Sequence, residues 1–78
     1  MNLTGRHPAT VQIAKYFEFE HLPEHLQAAS RPCHDLAAQM IDLYPDDSEL
    51  RAGLRKLLEA KDCFVRTAVA VAEGHPRS

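Results

Sequence analysis

Apolar residues in the middle of the chain recur at intervals of three and four, which is the pattern of an amphipathic helix. The stripe ends at Tyr44-Pro45, and an acidic run, Asp46–Glu49, follows it. Asp46 and Glu49 have the spacing of a capping box, and acidic side chains stabilise a helix N-terminus. The pattern predicts two helices joined by a tight turn, an αα-hairpin. The stripe consists of Cys33, Leu36, Ala37, Met40, Ile41 and Tyr44.

The last helix is predicted to run from about Asp47 to Glu73, because Gly74 and Pro76 form a typical C-terminal signature. At 1.5 Å per residue it is about 40 Å long. The preceding helix, counted from Ser30, is about half that length, so the apolar face of the last helix extends beyond its partner. Small apolar residues near its end suit contacts between subunits, and we expect a compact homo-oligomer. The stripe consists of Leu50, Leu54, Leu57, Leu58, Lys61, Phe64, Val65, Ala68, Val69 and Ala72.

The start of the chain predicts a third, shorter helix. Residues 1–7 are polar and without periodicity, so we expect them to be frayed. His7-Pro8 marks a helix start, because proline suits the first turn, and the helix continues through ATVQIAKYF. This helix places Val11, Ala14 and Phe17 on one face. The alternative is a flexible arm that becomes ordered only against a neighbouring subunit.

The connection to the hairpin has two possible structures. The segment EFEHLP interrupts the first helix, with Phe19 and Leu22 packed inward and the charged residues facing water. Ser30 then either caps a new helix that has Pro32 in its first turn, or lies inside one helix that continues from Pro23. The fold class is therefore all-α, with a short N-terminal helix followed by an αα-hairpin that has a long C-terminal helix.

Size and charge limit the functional classes. The chain has 78 residues, enough for one domain that buries only about 60% of its unfolded surface, so oligomerisation is the expected source of further core. The formal net charge is −2, which disfavours a partner that is polymeric nucleic acid, since such binding needs a basic excess. A small anionic ligand needs only one or two cations. No apolar run reaches membrane-spanning length, so we expect no membrane partner.

Cysteines and histidines give little support for a metal centre or an enzyme. His21 and His25 are four residues apart, but Pro23 between them disrupts a helical pair of ligands. Cys33 and His34 are adjacent and would point apart on a helix, so they do not form a catalytic dyad. The two cysteines have no CxxC spacing, which favours a reducing, cytoplasmic setting. We expect no enzyme activity, no metal and no cofactor.

The stretch from Lys15 to Pro32 concentrates aromatic rings and ionisable groups, which makes it the candidate ligand pocket. Tyr16 offers a flat ring for stacking, and Arg31 offers a planar cation for a phosphate or a base. Arg66 lies near the expected subunit contact, where symmetric copies of it would repel each other unless an anion lay between them. The alternatives are a half-buried packing role for Tyr16 and a solvated charged face for the last helix.

Three motifs resemble a known family. HLPEHLQ, LYPDDSE and LRKLLEAKD, together with the preceding YFEFE, are similar to the phage-encoded anti-CBASS sponge proteins. These belong to the hairpin-domain family shared by anti-CBASS and anti-Thoeris sponges. The resemblance covers roughly residues 7–72. It implies a small helical protein that assembles as a hexamer in the host bacterial cytoplasm. There it would sequester cyclic di- or trinucleotide messengers, such as 3′,3′-cGAMP, without cleaving them.

The resemblance also implies site residues. A tyrosine of the YF element stacks on the bases in that family, and Tyr16 matches it. A basic residue of a Ser-Lys-Pro element contacts the ligand, and Arg31 matches it, with arginine in place of lysine. Some members bind cyclic trinucleotides in a separate pocket lined by the last helix, for which Arg66 is the best match and Thr67 a weaker one. The alternative function is a protein–protein adaptor without a nucleotide ligand.

Overall fold

The computed structural model describes residues 1–74, which form three α-helices and no β-strand. The helices are α1 (Pro8–Lys15), α2 (Glu24–Leu43) and α3 (Ser48–Ala72). α3 packs along α2 and also contacts α1. The predicted all-α class is confirmed. Pro76, which was expected to follow the last helix, lies outside the described residues.

α1 begins where proline predicts it. Pro8 is the first residue, and His7 caps the helix because its Nδ1 accepts a hydrogen bond of 3.0 Å from the backbone N–H of Ala9. The helix ends at Lys15, two residues before the expected end at Phe17. Its buried face differs slightly from the predicted one, since Val11 is only half-buried. The buried residues of α1 are Thr10, Ile13 and Ala14.

α2 is one continuous helix, which decides between the two structures left open by the sequence. Ser30 lies inside it, fully buried, with no hydrogen-bond partner for its hydroxyl, so it is not an N-cap. Pro32 is an exposed interior proline. The helix has 20 residues against 25 in α3, so the expectation that it is half as long as α3 is wrong. The reason is that the helix starts at Glu24 rather than near Ser30.

The ends of α3 follow standard capping chemistry, with one change from the prediction. Asp47, not Asp46, is the N-cap, and its carboxylate accepts a hydrogen bond of 2.6 Å from the backbone N–H of Leu50. At the other end Gly74 adopts a left-handed conformation with φ of 78°, as expected for a residue that ends a helix. Its N–H donates to the carbonyl of Val71 at 3.0 Å.

A compact core joins the three helices at one end of α3. Leu54 is its fully buried residue on α3, whereas Phe64, Val69 and Val71 further along the helix are exposed. None of the helices within residues 1–74 combines the length and apolarity needed to cross a membrane. The core consists of Ile13, Ala14, Phe17, Cys33, Ala37, Ile41 and Leu54.

The N-terminal segment is attached to the end of α2, which differs from the expected fraying of residues 1–7. The guanidinium of Arg6 donates to the carbonyl of Tyr44 at 2.8 Å and to the carbonyl of Ile41. Carbonyls at a helix C-terminus have no partner inside the helix, so an arginine from elsewhere satisfies them. Leu3 also packs against the core.

Asp46 completes this attachment from the turn between α2 and α3. Its carboxylate accepts hydrogen bonds from the backbone N–H of His7 at 2.9 Å and from the hydroxyl of Thr10 at 2.7 Å. It lies 3.7 Å from the guanidinium of Arg6. These interactions, led by the bond from His7 and then that from Thr10, hold the pKa of Asp46 below its usual range.

This lowered pKa predicts a loss of stability in acid. A carboxyl whose pKa is lower in the folded than in the unfolded state stabilises the fold fully above the unfolded value of about 3.9. That contribution disappears as the pH falls through the folded value. Urea midpoints measured from neutral pH down to about pH 3 should therefore fall, and Asp46→Asn should lower the neutral-pH midpoint and flatten the profile. An Asp46→Asn profile as steep as the wild-type profile would contradict this role.

Two glycines give a matched pair for a stability test. Gly53 is exposed in the interior of α3, and a Cβ added there meets no atom within 4 Å. Gly53→Ala should therefore raise the free energy of unfolding by roughly 0.5–1 kcal/mol. Gly74→Ala has equally open space but a positive φ, so it should give no gain and cost up to about 1–2 kcal/mol locally. Thermal unfolding followed by circular dichroism measures the stability of both variants. Equal effects of the two substitutions would contradict the left-handed conformation of Gly74.

Candidate functional site

Tyr16 places an exposed aromatic ring at the end of α1. It is the C-cap residue, and its N–H donates to the carbonyl of Ile13 at 3.1 Å. Ile13 and Phe17 on either side of it are buried in the core, which leaves Tyr16 on the outer side of the chain. Tyr16 is 56% exposed, so part of its side chain is available to a ligand while the remainder packs against the chain.

The ring borders a cleft between the end of α1 and the middle of α3. The cleft has a volume of about 390 Å³, at the small end of the range of roughly 300–1,000 Å³ for ligand pockets. Leu22 and Val65 form its apolar part. Cations outnumber acids among its charged residues, so the cleft suits a small ligand with a flat group and a negative charge. The polar lining consists of Lys15, Tyr16, Glu18, His21, Lys61, Asp62 and Arg66.

Lys61 connects the two walls of this cleft. Its ammonium donates a hydrogen bond of 2.7 Å to the backbone carbonyl of Tyr16, and it lies 3.5 Å from the carboxylate of Asp62. Only 12% of its side chain is exposed. The sequence pattern placed Lys61 in the apolar stripe of α3 and missed this contact. The available signal was the presence of a lysine at a position where every neighbour in the stripe is apolar.

Arg66 reaches the same cleft from the next part of α3. It is exposed, and its guanidinium donates to the Sγ of Cys63 at 3.3 Å. The structure thus brings Tyr16 and Arg66 together in one cleft, although the resemblance assigned them to separate pockets. Thr67 is half-buried and does not line this cleft.

Arg31 lies elsewhere in the chain. Its guanidinium carbon lies 4.9 Å from the centre of the Phe19 ring, a cation–π contact, and the ring also meets the edge of His34 at 4.9 Å. Arg31 lines a separate depression on α2 together with Glu24 and other residues of that helix. Within one chain the structure therefore does not place Arg31 and Tyr16 in a common cleft. Phe19 is buried and Leu22 half-buried, as predicted.

The histidines and cysteines are dispersed. His34 pairs with Asp35 at 3.1 Å, and Cys33 is buried in the core, where its thiol donates to the carbonyl of Ala29. Within residues 1–74, no group of three or more histidine, cysteine or acidic side chains is arranged to hold a metal ion. The candidate ligand-binding groups are the ring of Tyr16 and the cations that line the same cleft.

Comparison with known proteins adds no relative. No protein-family model, curated protein or solved structure matches the chain.

The two cysteines lie in different environments, and their expected difference in reactivity tests the packing of α2. Burial raises the pKa of the Cys33 thiol, more than the charge of Lys61 lowers it, whereas Cys63 is exposed beside Arg66. Because the thiolate is the reactive form, a thiol reagent should titrate one cysteine rapidly in the folded protein and both in guanidinium. Cys63→Ser should abolish the rapid phase. Two rapid thiols in the folded chain would contradict the described packing of α2.

Proposed function

We propose that the protein is a phage anti-CBASS sponge, which binds a cyclic oligonucleotide messenger and withholds it from the bacterial effector without cleaving it. The observation that carries the proposal is that exposed Tyr16 and Arg66 line one cleft, in which three cations stand against two acids. The motif resemblance supplies the ligand class, and the cleft chemistry supports it independently. The proposed setting is the cytoplasm of the infected bacterium, and the partners include neither polymeric nucleic acid nor a membrane.

The chemistry of the cleft matches the chemistry of such a ligand. A cyclic dinucleotide has two flat bases and two phosphates, and stacking of a base on an aromatic side chain is worth roughly 1–3 kcal/mol. An arginine donates paired hydrogen bonds to a phosphate. When the site spans two subunits, one ring and one or two cations per chain are enough. This would allow a chain of net charge −2 to bind a dianion.

The proposed assembly supplies the remaining contacts. In this proposal α2 and α3 form an αα-hairpin, six copies form a compact homohexamer, and each dinucleotide site combines Tyr16 with Arg31 of another copy. Exposed apolar side chains on α3, namely Phe64, Val69 and Val71, support self-association. Arg66, with Thr67 as a weaker candidate, is the proposed contact for cyclic trinucleotides. Because Arg66 lines the same cleft as Tyr16, it is also proposed to contact the dinucleotide there.

A second candidate function is a protein–protein adaptor, which an apolar groove favours. The groove lies between α2 and α3, has a volume of about 310 Å³ and includes Leu36, Met40 and Leu57. Leu36 is exposed there, beside the open surface at Gly53. An adaptor would use this groove and would not depend on Tyr16.

The two functions predict different results for matched tyrosine variants. Tyr16 and Tyr44 are exposed to nearly the same extent, at 56% and 54%, and Tyr44 does not line the cleft. For a sponge, Tyr16→Ala should weaken binding of 3′,3′-cGAMP in isothermal titration by about tenfold or more, whereas Tyr44→Ala should leave it unchanged. Arg66→Ala and Arg31→Ala should also weaken binding.

The fate of the ligand and the mass of the assembly complete this test. Ligand released by proteolysis of the protein should be chemically intact, and light scattering should give the mass of six copies. Recovery of degraded ligand would contradict the sponge and would indicate that the protein is a phosphodiesterase. Absence of binding to a panel of cyclic di- and trinucleotides would remove the proposed ligand class. Equal effects of the two tyrosine variants would favour the adaptor.

A further inference from the structure

Lys61 is a nearly buried cation at the junction of two helices. Its side chain is 12% exposed, and its nearest acid, Asp62, is half-exposed with its carboxylate 3.5 Å away. At this depth the apolar stem of Lys61 is largely buried, while the ammonium at its tip reaches polar partners at the edge of the cleft. The surrounding stripe of α3 is apolar, and packing alone would be served by an apolar residue. The short bond to the carbonyl of Tyr16 is the feature that distinguishes this lysine.

The position of that carbonyl explains what the bond does. The last carbonyls of a helix have no partner within the helix, and a cation near them is also favoured by the helix dipole. Tyr16 is the C-cap of α1, so its carbonyl is one of these groups. The next residue, Phe17, is fully buried. The backbone of Tyr16 is therefore held by core packing on one side and by Lys61 on the other.

The same lysine lines the cleft that the Tyr16 ring borders. Lys61 and Arg66 both come from α3, so the bond from Lys61 fixes the end of α1 relative to the helix that provides Arg66. Among the hydrogen bonds of residues 1–74, this bond joins the end of α1 directly to α3. The distance between the ring and the guanidinium depends on this connection.

We propose that Lys61 is a positioning residue for Tyr16, which holds the ring over the cleft in the place where it acts on the same ligand as Arg66. The proposal rests on the proposed function, because the site that Lys61 keeps ordered is the proposed binding site for a cyclic oligonucleotide. The proposal adds Lys61, to which the motif resemblance gives no role. Lys61 would hold the backbone of Tyr16, whereas the Tyr16 ring would contact the ligand.

The composition of the chain permits a direct measurement of the ring. The protein has two tyrosines and no tryptophan, so Tyr44→Phe leaves Tyr16 as the sole source of tyrosine fluorescence. In this background Lys61→Met keeps an unbranched apolar stem and removes the donor, whereas Lys61→Arg keeps a cationic donor. Fluorescence anisotropy and acrylamide quenching then report the mobility and exposure of Tyr16 in the free protein.

The expected result is a specific loss of order and affinity. Lys61→Met should lower the anisotropy of Tyr16 and weaken binding of 3′,3′-cGAMP by about fivefold to tenfold, with helix content unchanged. Lys61→Arg should restore most of both. In a Tyr16→Ala background, Lys61→Met should cause less than about a twofold further loss, because a residue that acts through the ring has no effect once the ring is gone.

Other outcomes overturn the proposal. If Lys61→Met leaves anisotropy and affinity unchanged, Lys61 does not position the ring. If its full loss of affinity persists in the Tyr16→Ala background, Lys61 contacts the ligand directly or acts on the whole fold. If the wild-type protein binds no cyclic nucleotide, the proposed function fails. The anisotropy of Tyr16 then tests the role of Lys61 independently of ligand binding. An anisotropy that Lys61→Met leaves unchanged would refute the positioning role.

Discussion

The attachment of α1 at both of its ends is the constraint on which the rest of the structure depends. An isolated helix of eight residues is unstable in water, because nucleation costs more than so few hydrogen bonds return. Here Asp46 binds the start of the helix through His7 and Thr10, and Lys61 binds the carbonyl of the C-cap residue, Tyr16. Asp46 lies in the turn before α3, and Lys61 lies in α3 itself. The short helix is therefore ordered by tertiary contacts, and with it the ring of Tyr16.

α3 combines two tasks along its length. Its first half provides Leu54 to the core, and its middle provides Lys61 and Arg66 to the cleft. Phe64, between Lys61 and Arg66, and Val69, in the following turn, are exposed apolar residues. A ligand site and a surface suited to self-association thus lie next to each other on one helix. In the proposed sponge this proximity lets a neighbouring copy reach the bound ligand.

Local signals predicted the helices well, whereas contacts distant in sequence were not predictable. Apolar periodicity indicated α2 and α3, and Gly74 correctly marked the end of α3 because its left-handed conformation depends only on local sterics. The cap at Asp47 was displaced by one residue, since Asp46 is occupied by partners about 36–39 positions away. The chemistry of Tyr16 makes it a candidate from the sequence alone, and the structure places it, exposed, at the edge of a cleft. Lys61 was missed because its partner is the backbone of another helix, which no periodicity reveals.

The contact between Arg31 and Phe19 has a consequence for the entropy of recognition. A free arginine side chain loses up to about 2 kcal/mol of rotamer freedom when a ligand immobilises it. Here the guanidinium already lies against the ring, 4.9 Å from its centre, while the residue remains exposed. In the proposed sponge, part of that ordering would precede the binding of the anion, because Phe19 already restricts the guanidinium. The N–H groups of Arg31 would then donate to a phosphate at a smaller cost in conformational entropy than those of a free arginine side chain.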